Sequence, residues 1–198
     1  MAHCNEFTTF PMTDARLVNM MIIQLLSLSA AGFILHTTGW RYEDLGTQIS
    51  FKQFCNGFVL FAISYGMFIS IYVTAVKGLG LPKGWGMLPV RAEFSLPIAI
   101  LFSALNSLFE ESVTVGYLLN AMHQHGQVFA ISLSMFLRLL YHTYQGPIAL
   151  MSIMPMGILF ALVYWRWHRL WPLVFAHFLM DVLAFFDMKF SIVSSLLP

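Results

Sequence analysis

The sequence predicts an all-α fold, a polytopic bundle of about six membrane-spanning helices, and three observations carry that prediction. Six apolar stretches of 17 to 24 residues follow one another along the 198-residue chain, each near the length of about 20 residues that crosses a bilayer as a helix. Charged residues make up only 10%, against about 25% in an ordinary soluble domain. Mean hydropathy is +0.75, with 13 Met and 19 Phe. This length suits one bundle rather than several domains. A net charge of +1 supplies no basic field for nucleic acid. Cys4 and Cys55, the two cysteines, form no CxxC or Cys/His zinc spacing and do not describe a disulfide framework.

The first 15 residues are polar and lack the basic leader and small-residue cleavage site of a signal peptide, so the first apolar stretch is read as a retained helix. That stretch is Leu17–Leu35, softened by Asn19 and Gln24. A polar loop with Arg41, Glu43, Asp44 and Lys52 leads to Gly57–Val76, an uncharged span. Gly78–Phe94 is too rich in Gly and Pro for a continuous helix, and Trp85 beside Lys83 and Arg91 suits the headgroup interface. Leu96–Leu119 is the third span. Val128–Tyr144 and Pro147–Trp165 are separated only by Gln145 and Gly146, which predicts antiparallel neighbours. Arg166 to Arg169 cap the fifth span, and Leu170–Phe186 is the sixth, with Pro172 tolerated in its first turn. The organisation expected is a polar segment 1–15, one transmembrane domain 16–186 and a tail 187–198 in which Asp187 and Lys189 are solvated. The fourth and sixth spans, at 17 residues each, are near the lower limit for crossing, as suits a locally thinned and wetter site. Lys and Arg outside the spans divide five to four, a slight bias toward a cytoplasmic N-terminus.

Three spans carry groups that a simple anchor would avoid. Glu110 and Glu111 lie near the middle of the third, where a carboxylate costs about 2.5–3.5 kcal/mol on insertion scales. Successive helical residues point about 100° apart, so the two carboxylates cannot face one point. Asn106, Glu110 and Thr114 make a polar stripe one turn apart, and Ser103 and Ser107 permit close helix approach. On the fourth span Arg138 and His142 share a face at i, i+4, with Tyr141, Tyr144 and Gln145 beside them. Arg138 cannot shed its charge and needs a buried anion, for which Glu110, Glu111 and Asp181 are available; a structural counter-ion is the preferred role. On the sixth span His177 and Asp181 are again at i, i+4. These three helices are expected to bring their polar groups into one wet pocket.

The residue types permit a narrow chemistry. A desolvated carboxylate accepts a proton from water, an imidazole holds the same water and hands a proton to a leaving amine, and a second histidine donates to a developing oxyanion. This needs no cofactor beyond water. The same Glu110, His142 and His177 are equally the ligands available if a divalent metal binds. HExxH, GxSxG and a Ser–Lys pair inside the spans are missing, which excludes a zincin helix and the common serine hydrolase arrangements.

FEESVTVGYLL, RLLYHTYQG and LWPLVFAHFLMD together resemble the three motifs EExxxR, FxxxH and HxxxN/D of the CPBP family, the CAAX-protease and bacteriocin-processing or abortive-infection family, over roughly Phe94 to Phe186. The resemblance implies a catalytic core at 94–186 and a glutamate-type intramembrane endopeptidase. It makes Glu110 the water-activating carboxylate and Glu111 its support. His142 becomes the histidine that holds the water, and His177 with Asp181 the oxyanion-side pair. Arg138, Asn106, Tyr141 and Gln145 are supporting residues. The motif Arg is Val115 here and the motif Phe is Arg138, so Arg138 is read as supplying from the next helix the charge that position 115 lacks. The VGYLL and YHxYQG variants resemble a bacterial subgroup, implying a multi-pass protein of the bacterial plasma membrane. The partners implied are the lipid bilayer and a peptide or membrane-protein substrate cut near the bilayer surface. Two other functions use the same residues: a non-catalytic membrane regulator or immunity protein, and a proton-coupled small transporter, which has no repeat or broken helix behind it.

Overall fold

In the computed structural model, which describes residues 10–81 and 90–191, the first helix, α1 (Asp14–Thr37), starts at a built cap. Thr13 is extended, its Oγ1 accepts from the Arg16 amide at 3.4 Å, and Asp14 places negative charge on the positive helix end. α2 (Phe51–Val73) runs on through a π turn, Thr74–Gly78. α3 (Leu96–Glu111), a second π turn (Ser112–Tyr117) and α4 (Leu118–Ala121) form one rod, with Pro97 in its first turn, where a missing N–H costs nothing. α5 (Gln127–His142) and α6 (Pro147–Trp167) are joined by the 3-10 turn Thr143–Gln145 and by Gly146 at φ 92°. α7 (Trp171–Phe190) completes the set.

Asp14–Thr37, Phe51–Gly78, Leu96–Ala121 and Pro147–Trp167 are each long and apolar enough to cross a membrane. α5, at 16 residues, is shorter, and α7 carries Asp181, Asp187 and Lys189, which fits the two spans read as marginal. The fold is the all-α polytopic bundle expected, with one addition. β1 (Phe10–Thr13) and β2 (Val90–Glu93) pair in parallel, from Phe10 opposite Val90 to Thr13 opposite Glu93. They are the extended lead-ins of two adjacent helices. Asp14 Oδ1, at the head of α1, accepts from the Ser95 amide at 2.6 Å and from Ser95 Oγ at 3.1 Å, at the head of α3. The pair takes up the end of the expected interfacial segment, whose Lys83 and Trp85 lie outside the described residues, as does Cys4.

α1 packs on α3, α3 on α7, α7 on α2, α2 on α6 and α6 on α5; α5 returns to the third rod at its π turn and α4. Side chains sort into layers along these rods. Leu17, Met21, Phe94, Ala99, Phe102 and Phe185 form an apolar layer at the end where α1 and α3 begin. Leu60, Val115, Leu119, Phe160, Tyr164, Leu170, Leu173 and Val174 form another at the opposite end. Between them, on α1, α3, α5 and α7, sit Gln24, Glu110, Glu111, Arg138, His142 and His177, all buried.

The second end is closed by a polar knot. Tyr164 Oη accepts from Asn120 Nδ2 at 2.7 Å and donates to the Leu45 carbonyl at 3.2 Å, while Trp171 Nε1 donates to the Thr47 carbonyl at 2.7 Å. Gly46, at φ 69°, lies so close to the His168 carbonyl that no side chain fits there. At the first end one expectation, a solvated Lys189, is corrected. α7 continues to Phe190, and Lys189 Nζ donates to the Phe94 carbonyl at 2.6 Å and stands 5.5 Å from the Phe94 ring centroid. The terminal ammonium thereby caps a carbonyl left over before α3 begins.

Candidate active site

Glu110 and Glu111 close α3 immediately before the π turn. A π turn widens the helix and frees carbonyls, and in an apolar surround each needs a new partner. The sequence supplies them as hydroxyls and amides. Thr114 Oγ1 donates to the Glu110 carbonyl at 2.7 Å, Ser134 Oγ of α5 donates to the Thr114 carbonyl at 2.6 Å, and Asn120 Nδ2 donates to the Gly116 carbonyl at 2.7 Å.

The two carboxylates diverge, as their spacing requires. Glu111 turns inward. Arg138 Nη2 donates to its Oε1 at 2.8 Å and its Oε2 at 3.0 Å, and to Thr114 Oγ1 at 3.0 Å. His177 Nδ1 lies 2.7 Å from Glu111 Oε1. Of the three anions available to Arg138, the fold selects Glu111, and both side chains of that pair are 0% exposed. Val115, at the position where the family motif has Arg, is buried in the apolar layer.

Glu110 turns the other way, toward the last turn of α5. Tyr141 Oη donates to Glu110 Oε2 at 2.9 Å, and His142 Nε2 stands 3.6 Å from the same oxygen. That separation is long for a direct hydrogen bond and short enough for both groups to hold one water. The Glu110 and His142 side chains each keep 11% exposure, whereas Glu111 and Arg138 are fully enclosed.

His177 joins the two halves. Its Nε2 lies 3.5 Å from Asp181 Oδ1, so both ring nitrogens face carboxylates. Asp181 Oδ2 accepts from Asn106 Nδ2 at 2.9 Å, and Asn106 Oδ1 accepts from Gln24 Nε2 at 2.7 Å. The polar stripe read along the third span therefore splits: Asn106 serves α7 and α1, Glu110 serves α5, and Thr114 serves the π turn and Arg138. Gln145 stands apart from these bonds, its amide donating to Tyr144 Oη at 3.1 Å. Among the described residues no three His, Cys, Asp or Glu side chains are grouped to hold a metal ion, Glu110, His142 and His177 included.

Two participants carry little sequence signal. Gln24 is an isolated amide in an apolar span, and Ser134 is a small residue indistinguishable from packing. Thr114 was legible only as part of the stripe.

Comparison with known proteins adds one finding. Residues 92–183 match the model of the family described as Rce1-like, type II CAAX prenyl endopeptidase Rce1-like. No curated protein and no solved structure matches the chain. The match spans Ala92 in β2 through Leu183 in α7, and so includes Glu110, Glu111, Arg138, His142, His177 and Asp181. Over residues 92–183 this integral membrane protein is similar to the CPBP/CAAX protease family, a family of intramembrane endopeptidases.

Proposed function

We propose that the protein hydrolyses a peptide bond with a water held between Glu110 and His142, the substrate being a peptide or membrane protein that reaches the tip of the α5–α6 hairpin. The observation that carries this reading is the unequal exposure of the two glutamates: Glu110 and His142 each keep a partly exposed edge, while Glu111 is enclosed with Arg138. A general base must touch the water it activates, which favours Glu110 over the enclosed Glu111.

Glu110 accepts one proton from the water as its oxygen attacks the scissile carbonyl carbon. The carbonyl π pair moves onto oxygen, and the tetrahedral intermediate collapses with cleavage of the C–N bond. The proton taken by Glu110, relayed by His142, goes to the leaving amine. Tyr141 Oη holds Glu110 Oε2 and aims the carboxylate. His177 is the oxyanion-side donor that the family likeness implies. Its Nε2, only 3.5 Å from Asp181, carries the more loosely held of its two protons, while Nδ1 stays on Glu111. The buried Arg138–Glu111 pair keeps α3, α5 and α7 in register around these groups. The water acts without a metal, and the protein operates in a bacterial plasma membrane, following its motif variants.

The test uses purified full-length chain in lipid nanodiscs and a fluorescence-quenched peptide ending in a farnesylated CAAX sequence, together with proteomic comparison of cells carrying wild-type and Glu110→Gln protein. Glu110→Gln keeps the size and hydrogen bonding of the side chain but removes the base, and cleavage is expected to fall by at least about a hundredfold. Cleavage that persists in 1,10-phenanthroline but is lost in Glu110→Gln fits direct water activation. Wild-type turnover by Glu110→Gln would overturn the mechanism, and a chelator-dependent loss restored by added zinc would replace it with a metal-assisted one.

A further inference from the structure

The family match ends short of α1, yet one side chain of α1 enters the buried polar layer. Around it the helix faces outward: Ile22, Ile23, Leu25 and Leu26 are all exposed. Gln24 is 9% exposed and points inward, and its Nε2 donates to Asn106 Oδ1 at 2.7 Å. Its own Oε1 is buried with no partner among the described residues. A leucine at this position would add apolar burial and avoid an unmet buried carbonyl. The amide is therefore a poor choice for anchoring α1 and a good one for holding something on α3.

What it holds is the orientation of Asn106. An asparagine amide has one accepting and one donating end. With Oδ1 taken by Gln24, Nδ2 faces α7 and donates to Asp181 Oδ2 at 2.9 Å. Asp181 Oδ1 then faces His177 Nε2 at 3.5 Å, and His177 Nδ1 faces Glu111 Oε1 at 2.7 Å. The chain Gln24–Asn106–Asp181–His177–Glu111 crosses three helices, its longest link being the 3.5 Å between Asp181 and His177. Were the Asn106 amide to turn over, its carbonyl oxygen would meet Asp181, and the carboxylate would swing away from His177.

We propose that Gln24 is a positioning residue for His177, acting through Asn106 and Asp181, so that α1 completes a site whose catalytic residues all lie on other helices. The kinetic consequence rests on the peptidase reading above; the structural statement does not. Two measurements on full-length chain in nanodiscs separate them. In the first, the histidines are labelled with nitrogen-15 and the His177 ring signals are assigned by their loss in His177→Gln. Gln24→Leu and Asn106→Leu are expected to move those signals in the same direction, and the double variant to move them no further, while Ile23→Ala, a lipid-facing control, leaves them in place. In the second, cleavage of the farnesylated peptide is expected to drop about three- to tenfold in kcat with KM unchanged in Gln24→Leu, the size of one lost hydrogen bond. Unmoved His177 signals in Gln24→Leu, in protein that melts like wild type, would overturn the proposal whatever the activity. Moved signals together with a fully active Glu110→Gln would leave Gln24 as a positioning residue and remove the peptidase reading instead. Gln24→Asn, which keeps the amide on a shorter stem, provides the folded comparison if Gln24→Leu assembles poorly; its His177 signals are expected to lie between those of wild type and Asn106→Leu, and wild-type signals there would count against the proposal.

Discussion

Two neighbouring carboxylates do different work because a helix turns about 100° between them. Glu111 spends its oxygens on Arg138 and His177 and is fully enclosed, whereas Glu110 keeps an edge at the surface of the site beside His142. A buried guanidinium is tolerable only while its counter-charge is present. Arg138→Ala is expected to destabilise the protein by about 3–5 kcal/mol, because the fully buried Glu111 would lose its guanidinium and keep only His177 as a partner. Pairing it with Glu111→Gln should recover part of that loss; thermal melting in detergent measures both. Val115 packs among Leu119, Phe160 and Tyr164, so an arginine placed there meets apolar neighbours rather than vacant space, and rescue of Arg138→Ala by Val115→Arg is not expected.

At the scale of elements, the α5–α6 hairpin brings His142 to Glu110, and its geometry depends on a close helix approach. A Cβ on Gly157 of α6 would stand 2.6 Å from Met135 Cε and 2.9 Å from Arg138 Cδ, both on α5. Gly157→Ala must then push α5 outward or displace the Arg138 stem. We expect a loss of about 1–3 kcal/mol in stability and a larger fractional loss of cleavage than of fold, because the displaced side chain is the one that holds Glu111. At the far end of α6, His168 at φ 49° lies with its Nε2 2.7 Å from Asn120 Oδ1. Partial burial and the nearby His123 hold its imidazole below the ordinary histidine range. The unfolded chain therefore takes up this proton at higher pH than the folded one, so stability is fully present above the ordinary histidine pKa of about 6.5 and is lost as pH falls through the depressed folded value. Melting temperatures measured from pH 7.5 to pH 5 should fall more for wild type than for His168→Gln.

Across the whole molecule, a polar layer is held between two apolar ones, and rods of unequal length give access to it. Glu110 is 14 residues from the start of its rod at Leu96, about 21 Å at 1.5 Å per residue, yet His142, which meets it, is the last residue of α5. The hairpin therefore ends at the depth of the site instead of continuing beside α3. Tyr141 and Tyr144 stand at this tip, 37% and 60% exposed, and give it polar groups at its outer edge. α1 packs on α3 and reaches the buried polar layer through Gln24. A disulfide locking the head of α1 to that of α3, between Cys-substituted Met12 and Ala92, which stand opposite each other across the parallel strands at the roughly 4.8 Å spacing of paired strands, is expected to leave the fold intact. Its effect on cleavage, with reductant as the control, reports whether α1 must move for substrate to enter; a reversible loss means that it must.

The sequence by itself determined that the chain is an all-α bundle of apolar helices, that three of them carry ionisable groups, and which types those groups are; of the six spans it predicts, four helices have the length and apolarity to cross a membrane. The physical reason is cost: a charge inside an apolar span is so unfavourable that its presence alone marks a shared polar site. Spacing also separated Glu110 from Glu111 and put Arg138 with His142 and His177 with Asp181 on common faces. Only the tertiary structure decided who meets whom: Arg138 with Glu111 rather than Glu110 or Asp181, His177 between two carboxylates, Lys189 on the Phe94 carbonyl, and Gln24 reaching in from α1. Those pairings depend on the rotation and depth of one rod against the next. Rotation and depth are set by close approaches such as Gly157 against α5 and by the widened turn after Glu111, which leave no periodic trace in the chain.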